Sequence, residues 1–268
     1  MTTLPHRVAP GPDVPLWHGV DDVPATFGPC VVTLGVFDGL HRGHRRLVEQ
    51  ARAVGRDRGL PVVLVTFDPH PARVLGLDRD TAALSTIGHR AELAAQAGVD
   101  AVCALRFTRE LAAGTPAGFA GEVLVTGLRA DAVVVGANFT FGAGGAGTVD
   151  TLHELGRAMG FTAHRVGLLQ AVDAPCSSTH IRRCLRAGDL AGAARALGRP
   201  HRVDGHRLGD AVLLDGDTAL PPTGRYRVLV DGRDARVDVG PGESLRIVDA
   251  DPHATGRPVT VTFLDHDR

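Results

Sequence analysis

Apolar runs alternate with stretches of helical spacing from Val31 to Pro200. Five short apolar runs predict strands, at 31–36, 62–67, 101–105, 132–136 and 162–166. Apolar positions recur at helical spacing over 43–58, 88–97, 116–126, 149–159 and 179–197. Apolar strands separated by helices are typical of a parallel sheet covered on both faces. We therefore predict an α/β fold, with ligands bound beyond the carboxyl ends of the strands.

The pattern changes after Pro200. Helical spacing disappears, and short apolar runs separated by Gly, Asp and Pro turns predict strands at 211–214, 226–230, 235–239, 244–248 and 259–264. This spacing is typical of a small antiparallel β module. The predicted domains are therefore 1–198 and 199–268.

The charge and composition of the chain exclude several kinds of binding site and catalytic mechanism. The chain has 268 residues, enough for two domains, and its 29 basic residues nearly balance 30 acidic ones. We therefore expect no extended basic surface for nucleic acid. All of the basic residues are arginine, which excludes a P-loop lysine, a Schiff-base lysine and a kinase lysine. Phosphate binding would fall to arginine, histidine, backbone N–H groups or a metal ion.

The four cysteines lack the CxxC spacing of a zinc site, and we predict neither a disulfide framework nor a metal site built from protein side chains. The N-terminus does not resemble a secretory signal, and no apolar run approaches the roughly 20 residues that span a bilayer. We expect a soluble, cytoplasmic protein.

The most informative segment lies between the first strand and the first helix, where residues 35–44 read GVFDGLHRGH. A helix start presents unpaired backbone N–H groups and a partial positive charge, so it favours an anion. His41 and His44 are three residues apart, which places both imidazoles on one helical face. A strand, a glycine-bearing turn and two imidazoles at a helix start predict a phosphate site.

Two further polar and aromatic segments also follow predicted strands. Residues 66–71 read TFDPHP, and residues 136–142 read GANFTFG. The first is stiffened by its two prolines, and the second supplies an amide at Asn138. Phe67, Phe139 and Phe141 are candidate walls of a pocket for a flat ring system.

Residues 142–147 read GAGGAG and match the GxGxxG pattern of dinucleotide-binding proteins. That fingerprint requires its glycines directly after the first strand and an acidic residue about 20 positions further on. Here another loop intervenes, and the nearest acidic match is Asp173. We do not predict a nicotinamide site.

Residues 177–182 read SSTHIR and open the last large predicted helix. One hydroxyl is explained by an N-cap. An arginine in a first helical turn opposes the helix dipole unless an anion binds there. We therefore interpret Ser177, Ser178, Thr179 and Arg182 as a second phosphate contact.

These four segments, in this order, resemble the bacterial bifunctional riboflavin kinase and FMN adenylyltransferase family, the FAD synthetases. The resemblance covers about residues 16–200. It implies a Rossmann-like nucleotidyltransferase fold of the HxGH superfamily that joins FMN to the AMP part of ATP, with Mg²⁺, and releases pyrophosphate. ATP and FMN would be substrates, and the partners would be small molecules rather than nucleic acid or membrane.

The resemblance also implies roles for single residues. His41, His44 and Arg182 would act on the triphosphate as catalytic residues. The nucleotide would contact Gly35, Phe37, Asp38, Gly43, Asn138, Ser177, Ser178 and Thr179. The flavin or another acceptor would lie by Phe67, Asp68, His70, Phe139 and Phe141.

The chain also departs from the family. The C-terminal kinase barrel of the family normally carries a glycine-rich stretch leading to a Pro-Thr-Ala-Asn motif, a catalytic glutamate and a closing helix. None is found after Val203-Asp204-Gly205, so we expect a truncated kinase-like β module without riboflavin kinase activity. Pro175-Cys176 stands where relatives often place a basic and an aliphatic residue.

Two alternatives stay open. The first is nucleotidyl transfer to another phosphorylated acceptor, or from CTP. The second is a non-catalytic flavin or nucleotide binder, although a binder has no need of groups that stabilise a transition state. The oligomeric state is not predicted.

Overall fold

The computed structural model describes residues 14–167, 176–214, 216–248 and 255–267. Packing divides the chain into two compact units. We call Pro12–Thr81 with Ala91–Leu169 the sheet unit, and Ala82–Arg90 with Gln170–Arg268 the barrel unit.

A six-stranded parallel sheet organises the sheet unit. Its strands are β1 Leu16–Trp17, β2 Cys30–Leu34, β3 Val62–Asp68, β4 Ala101–Arg106, β5 Ala130–Gly136 and β6 Thr162–Val166. They lie in the order β1-β4-β3-β2-β5-β6. The predicted parallel α/β sheet is confirmed. The pattern missed β1, because two residues are too few to show a period.

Six helices of the structure accompany this sheet along the chain. They are α1 Arg42–Arg58, α2 Pro71–Val74, α3 Ile87–Gln96, α4 Arg109–Ala113, α5 Pro116–Phe119 and α6 Val149–Met159. The first turn of α3 is grouped with the barrel unit. The helix predicted over 116–126 is α5 followed by a π-helix, Ala120–Gly127.

The sheet is buried on both faces, as its apolar strands require. In β2, Val32 and Leu34 pack into one apolar cluster while Val31 packs into another on the opposite face. β2 lies between β3 and β5, with Leu34 opposite Val65 and Thr33 opposite Val134. The loops that follow these three strands therefore leave the sheet at neighbouring positions.

The barrel unit contains a closed antiparallel barrel. Its strands are β7 Arg202–Leu208, β8 Ala211–Leu214, β9 Gly224–Val230, β10 Arg233–Val239, β11 Leu245–Ile247 and β12 Thr255–His266. The predicted antiparallel β module is confirmed. The apolar pattern missed β7, because only Val203 and Gly205 of this strand are buried.

The helix predicted over 179–197 is two helices, α7 Ser178–Arg186 and α8 Leu190–Leu197. The prediction of one helix was wrong because Gly188 adopts a left-handed conformation, with φ 74°. Asp189 then caps α8, its Oδ1 accepting from Gly192 N–H at 2.7 Å. Both helices share one apolar core with the barrel, so packing groups them with it. The domain boundary at 198/199 stays a prediction.

Among the described helices, none combines the length and the apolar character that crossing a membrane requires.

Candidate functional site

The loop between β2 and α1 has an unusual backbone. Phe37, Gly39 and Leu40 have φ of 52°, 74° and 35°. Left-handed conformations are costly for residues other than glycine and persist where surrounding packing determines them. The side chains of Phe37 and Leu40 are buried in one apolar cluster of the sheet unit. This packing holds the loop in the conformation that leads into α1.

His41 is the N-cap of α1, a position usually taken by Ser, Thr, Asp or Asn. Its Nδ1 accepts a hydrogen bond from the backbone N–H of His44 at 3.3 Å. A ring nitrogen that accepts a hydrogen bond carries no proton, so the neutral ring has its proton on Nε2. The cap therefore sets the tautomer of His41 as well as the start of the helix.

The two imidazoles lie together, as their spacing predicts. The His41 and His44 rings are stacked, with centroids 3.5 Å apart and planes inclined by 18°. Phe37 packs edge-on against the His44 ring at 5.1 Å between centroids. His41 is buried and His44 half-buried. The left-handed Phe37 thus supports the pair directly.

The start of α1 is electropositive. Its first turn contains no acidic residue, and Arg42 and Arg45 lie at the end where the helix dipole is already positive. Like charge gathered at this end favours a bound anion. Asp38, the acidic residue of the preceding loop, is buried.

The end of β3, where the segment 66–71 begins, is joined to this loop by two hydrogen bonds. Thr66 Oγ1 donates to the Val36 carbonyl at 2.6 Å, and Gly35 N–H donates to the Val65 carbonyl at 3.2 Å. The structure thus brings 35–44 and 66–71 together.

Three predicted acceptor residues follow along this segment. Phe67 is half-buried and meets Phe107 edge-on at 5.5 Å, whereas Asp68 is exposed. His70 caps α2, its Nδ1 accepting from Ala72 N–H at 3.1 Å. By the argument used for His41, its proton lies on Nε2 when the ring is neutral.

The segment after β5 presents an exposed amide beside packed rings. Asn138 is exposed. Phe139 and Phe141 are stacked at 5.5 Å, and Phe141 also packs on Phe119 in the core of the sheet unit. Of the two predicted pocket walls in this segment, Phe139 is therefore the more accessible.

The glycine-rich run at 142–147 forms a short turn, and the N-cap of the next helix is Thr148. The helix therefore does not begin at the glycines, as a dinucleotide fingerprint would require. Asp173, the acidic residue weighed for that fingerprint, lies outside the described residues.

The segment 177–182, which carries three hydroxyl side chains, belongs to the barrel unit. Ser177 caps α7, its Oγ accepting from His180 N–H at 3.2 Å. Ser178 is half-buried and Thr179 exposed in the first turn. Pro175 lies outside the described residues.

Arg182 is not in the first turn of α7, so the dipole argument made from the sequence was wrong. The helix begins at Ser178, which makes Arg182 its fifth residue. The side chain is buried, and its Nε donates to the Ala82 carbonyl at 2.7 Å. Its predicted contact with a triphosphate stays a prediction.

Sequence reasoning missed the supporting residues of the site. The packing of Phe37 on His44 depends on the left-handed backbone of Phe37, and the bond from Thr66 to Val36 joins two separate segments, so neither contact has a local signal. The sequence assigns no role to Ala82, yet its carbonyl accepts a hydrogen bond from Arg182.

A family comparison and a comparison with single proteins both relate this chain to FAD synthetases. The FAD synthetase family matches residues 23–180. The bifunctional riboflavin kinase/FMN adenylyltransferase of Escherichia coli (strain K12) is 37% identical over 176 residues, or 66% of this chain and 56% of that protein. The protein of the same name from Pseudomonas fluorescens is 35% identical over 213 residues, or 75% of this chain and 68% of that protein.

This chain spans little more than half the length of the Escherichia coli relative, 56%. A solved structure of a macrolide-efflux protein from Streptococcus pneumoniae is 23% identical, with a TM-score of 0.80 over 96% of this chain and 91% of that one. At this identity the likeness concerns the fold alone.

Proposed function

Because the chain belongs to the FAD synthetase family, we propose that it transfers the AMP part of ATP to FMN, giving FAD and pyrophosphate. The observation that carries this proposal is the stacked pair of His41 and His44 at the start of α1. The pair lies within the residues that match the family. It also stands where a helix start favours a phosphate group.

The reaction needs little proton chemistry. An FMN phosphate oxygen, ionised at neutral pH, attacks the α-phosphorus of ATP. The new oxygen–phosphorus bond forms as the bond to the bridging oxygen of the β-phosphate breaks, and pyrophosphate leaves with that electron pair. Since no general base is required, catalysis consists of positioning and of stabilising charge on the phosphates.

The histidine pair and the start of α1 supply that stabilisation. His41 is proposed to donate its Nε2 proton to a phosphate oxygen, since Nδ1 accepts the capping hydrogen bond. His44 stacks on this ring and is proposed to donate to the same triphosphate. Backbone N–H groups and the positive end of the dipole act in the same direction.

The remaining roles follow the family motifs. Ser177, Ser178, Thr179 and Arg182 are proposed to contact the triphosphate, and Asn138 to contact a phosphate of the nucleotide or flavin. Phe67, Asp68, His70 and Phe139 are proposed to lie by the flavin, together with Phe141. The exposure of Asn138 and Asp68 supports these roles.

Mg²⁺ is proposed to accompany ATP and to neutralise phosphate charge. In proteins this ion is usually held by one or two carboxylates together with substrate phosphates. The described residues contain no group of three or more potential metal ligands.

We further propose that riboflavin kinase activity is lost. The barrel is present, but its sequence contains neither the Pro-Thr-Ala-Asn motif nor the glycine-rich stretch of the family. Purified protein incubated with ATP and riboflavin should yield no FMN.

A single-turnover assay with labelled ATP tests the main proposal. We expect FAD and pyrophosphate from FMN, and no comparable product when CTP replaces ATP. Pyrophosphate release with another phosphorylated acceptor but not with FMN would replace the proposed substrate. Tight binding of ATP and FMN without turnover would identify a non-catalytic binder.

A further inference from the structure

The segment Ala82–Arg90 interrupts the sheet unit in sequence but packs with the barrel. Ala82 and Leu84 are buried in the same apolar core as α7, α8 and the barrel strands. The segment is therefore an integral part of the barrel unit, although more than 80 residues separate it from α7.

Backbone hydrogen bonds join this segment to the chain between β8 and β9. Ala83 N–H donates to the Asp217 carbonyl at 2.7 Å, and Ala219 N–H donates to the Ala83 carbonyl at 2.9 Å. His201 Nε2 lies 2.8 Å from the Ala219 carbonyl, which continues the connection to the residue just before β7.

A second attachment is made by side chains. Thr86 Oγ1 donates to Asp204 Oδ2 at 2.9 Å while accepting from His89 N–H at 3.1 Å. Arg202 Nε donates to the other oxygen of Asp204 at 2.6 Å. Asp204 of β7 thus holds Thr86, and hydrogen bonds to a charged group are among the stronger ones in proteins.

The other side of the segment meets α7. Arg182 Nε donates to the Ala82 carbonyl, and both residues are buried. Ile181 and Leu185 of α7 are fully buried in the shared core. One continuous set of contacts therefore runs from Asp204 through the segment 82–86 to α7.

We propose that the barrel, having lost the kinase motifs, positions the first turn of α7 for the adenylyl transfer, with Asp204 as a positioning residue that acts through the segment 82–86. Asp204 holds the segment 82–86, and the segment holds Arg182. This inference rests on the proposed function, because the first turn of α7 carries the hydroxyls assigned to the triphosphate.

The barrel offers a matched pair of variants. Asp204→Asn weakens the bond to Thr86. Asp231→Asn weakens an equivalent bond within the barrel, where Asp231 Oδ1 accepts from Thr260 Oγ1 at 3.3 Å and from Thr260 N–H at 2.9 Å. Only the first of these carboxylates contacts the segment that holds α7.

Two measurements are made on the full chain. Amide hydrogen exchange without substrate reports the order of the first turn of α7, and steady-state kinetics report KM for ATP and kcat. In Asp204→Asn we expect faster exchange at Thr179–Ile181 and a KM raised about 2- to 30-fold, the range for residues that act through others. We expect kcat to stay within about twofold, since the lost interaction should contribute equally to binding in the ground state and in the transition state. Asp231→Asn should change neither the exchange at Thr179–Ile181 nor the KM for ATP.

Each result decides the proposal. Unchanged exchange in folded Asp204→Asn would overturn it, and so would faster exchange with unchanged KM, because the contact would then be structural only. If Asp204→Asn does not fold, Thr86→Val removes the same bond from the other side, with Thr260→Val as its control. If the wild type forms no FAD, the proposed function fails, while the exchange measurement still tests whether the barrel orders α7.

Discussion

The two units differ in where they place their polar groups. The sheet unit gathers left-handed backbone, a capping imidazole and a stacked partner at the end of one strand. The barrel unit spreads exposed ion pairs over its outer face, such as Arg225–Asp238 and Arg227–Asp265. Exposed ion pairs contribute little to stability. The sheet unit thus gathers polar groups at one loop, whereas the barrel strands carry exposed ion pairs around an apolar interior.

Each unit carries its own spectroscopic probe. The chain has one tryptophan and one tyrosine. Trp17 is buried in the sheet unit and Tyr226 in the barrel unit. Their signals during denaturation therefore report the two units separately.

The largest expected effect concerns the barrel interior. Phe263 is fully buried and meets Tyr226 edge-on at 5.6 Å. Phe263→Ala should lower the free energy of unfolding reported by Tyr226 by about 3–5 kcal/mol, because it leaves a cavity. The transition reported by Trp17 should move less.

Leu213→Ala is the control, since this barrel side chain is 54% exposed and should leave both transitions in place. If Phe263→Ala shifts the transitions reported by Trp17 and Tyr226 equally, the two units unfold together, and this would contradict their separate stabilities.

The next effect concerns the histidine pair. His44→Ala removes one of the donors proposed to stabilise charge on the phosphates. Loss of such a donor costs about 2.7–4 kcal/mol of barrier, so turnover should fall at least about 100-fold. Both denaturation transitions should stay close to those of the wild type.

His153→Ala is the matched control, because His153 is a helical histidine of α6 in the same unit but outside the proposed site. Near-normal turnover in His44→Ala would refute the assigned role.

The third effect is a pH dependence of the barrel unit. Burial, and after it the nearby Arg202 guanidinium, lowers the pKa of His89 from its ordinary 6.5 to about 2. Between about pH 2 and pH 6.5 the His89 ring is therefore neutral in the folded state but protonated in the unfolded state. The neutral ring favours the folded state above pH 6.5, and the unfolding free energy falls as the pH drops below 6.5. At about pH 5 the loss should be about 2 kcal/mol.

His89→Gln should reduce this acid sensitivity, measured as the change with pH in the unfolding free energy reported by Tyr226. Identical pH profiles for variant and wild type would show that His89 is not the titrating group.

The smallest effect separates the two duties of His41. His41→Ala removes the cap and should cost about 0.5–2 kcal/mol of stability, whereas His41→Asn keeps a capping side chain and should cost less. Both variants lack the Nε2 donor, so both should lose turnover. Denaturation and FAD formation are measured on the same samples. Full activity in His41→Asn would show that His41 acts only as the helix cap.

Much of the fold could be predicted from local pattern. The apolar runs of β2 to β6 and the glycine-bearing loop before His41 are contiguous in sequence, so their periodicity is sufficient. β7 could not be predicted in this way, because few of its side chains point inward. This strand is fixed instead by its pairing with other strands of the closed barrel. The break at Gly188 has a local cause, but a glycine within a helical pattern does not by itself require a left-handed turn.

The sequence by itself determined the classes of element, their order and the pairing of two imidazoles at a helix start, because these depend on neighbours along the chain. Only the tertiary structure decided that Phe37 supports His44, that Arg182 binds Ala82, and that Ala82–Arg90 joins the barrel. Such contacts join segments far apart in sequence or depend on backbone conformations that packing imposes. Their energy comes from burial and hydrogen bonding that exist only in the folded chain.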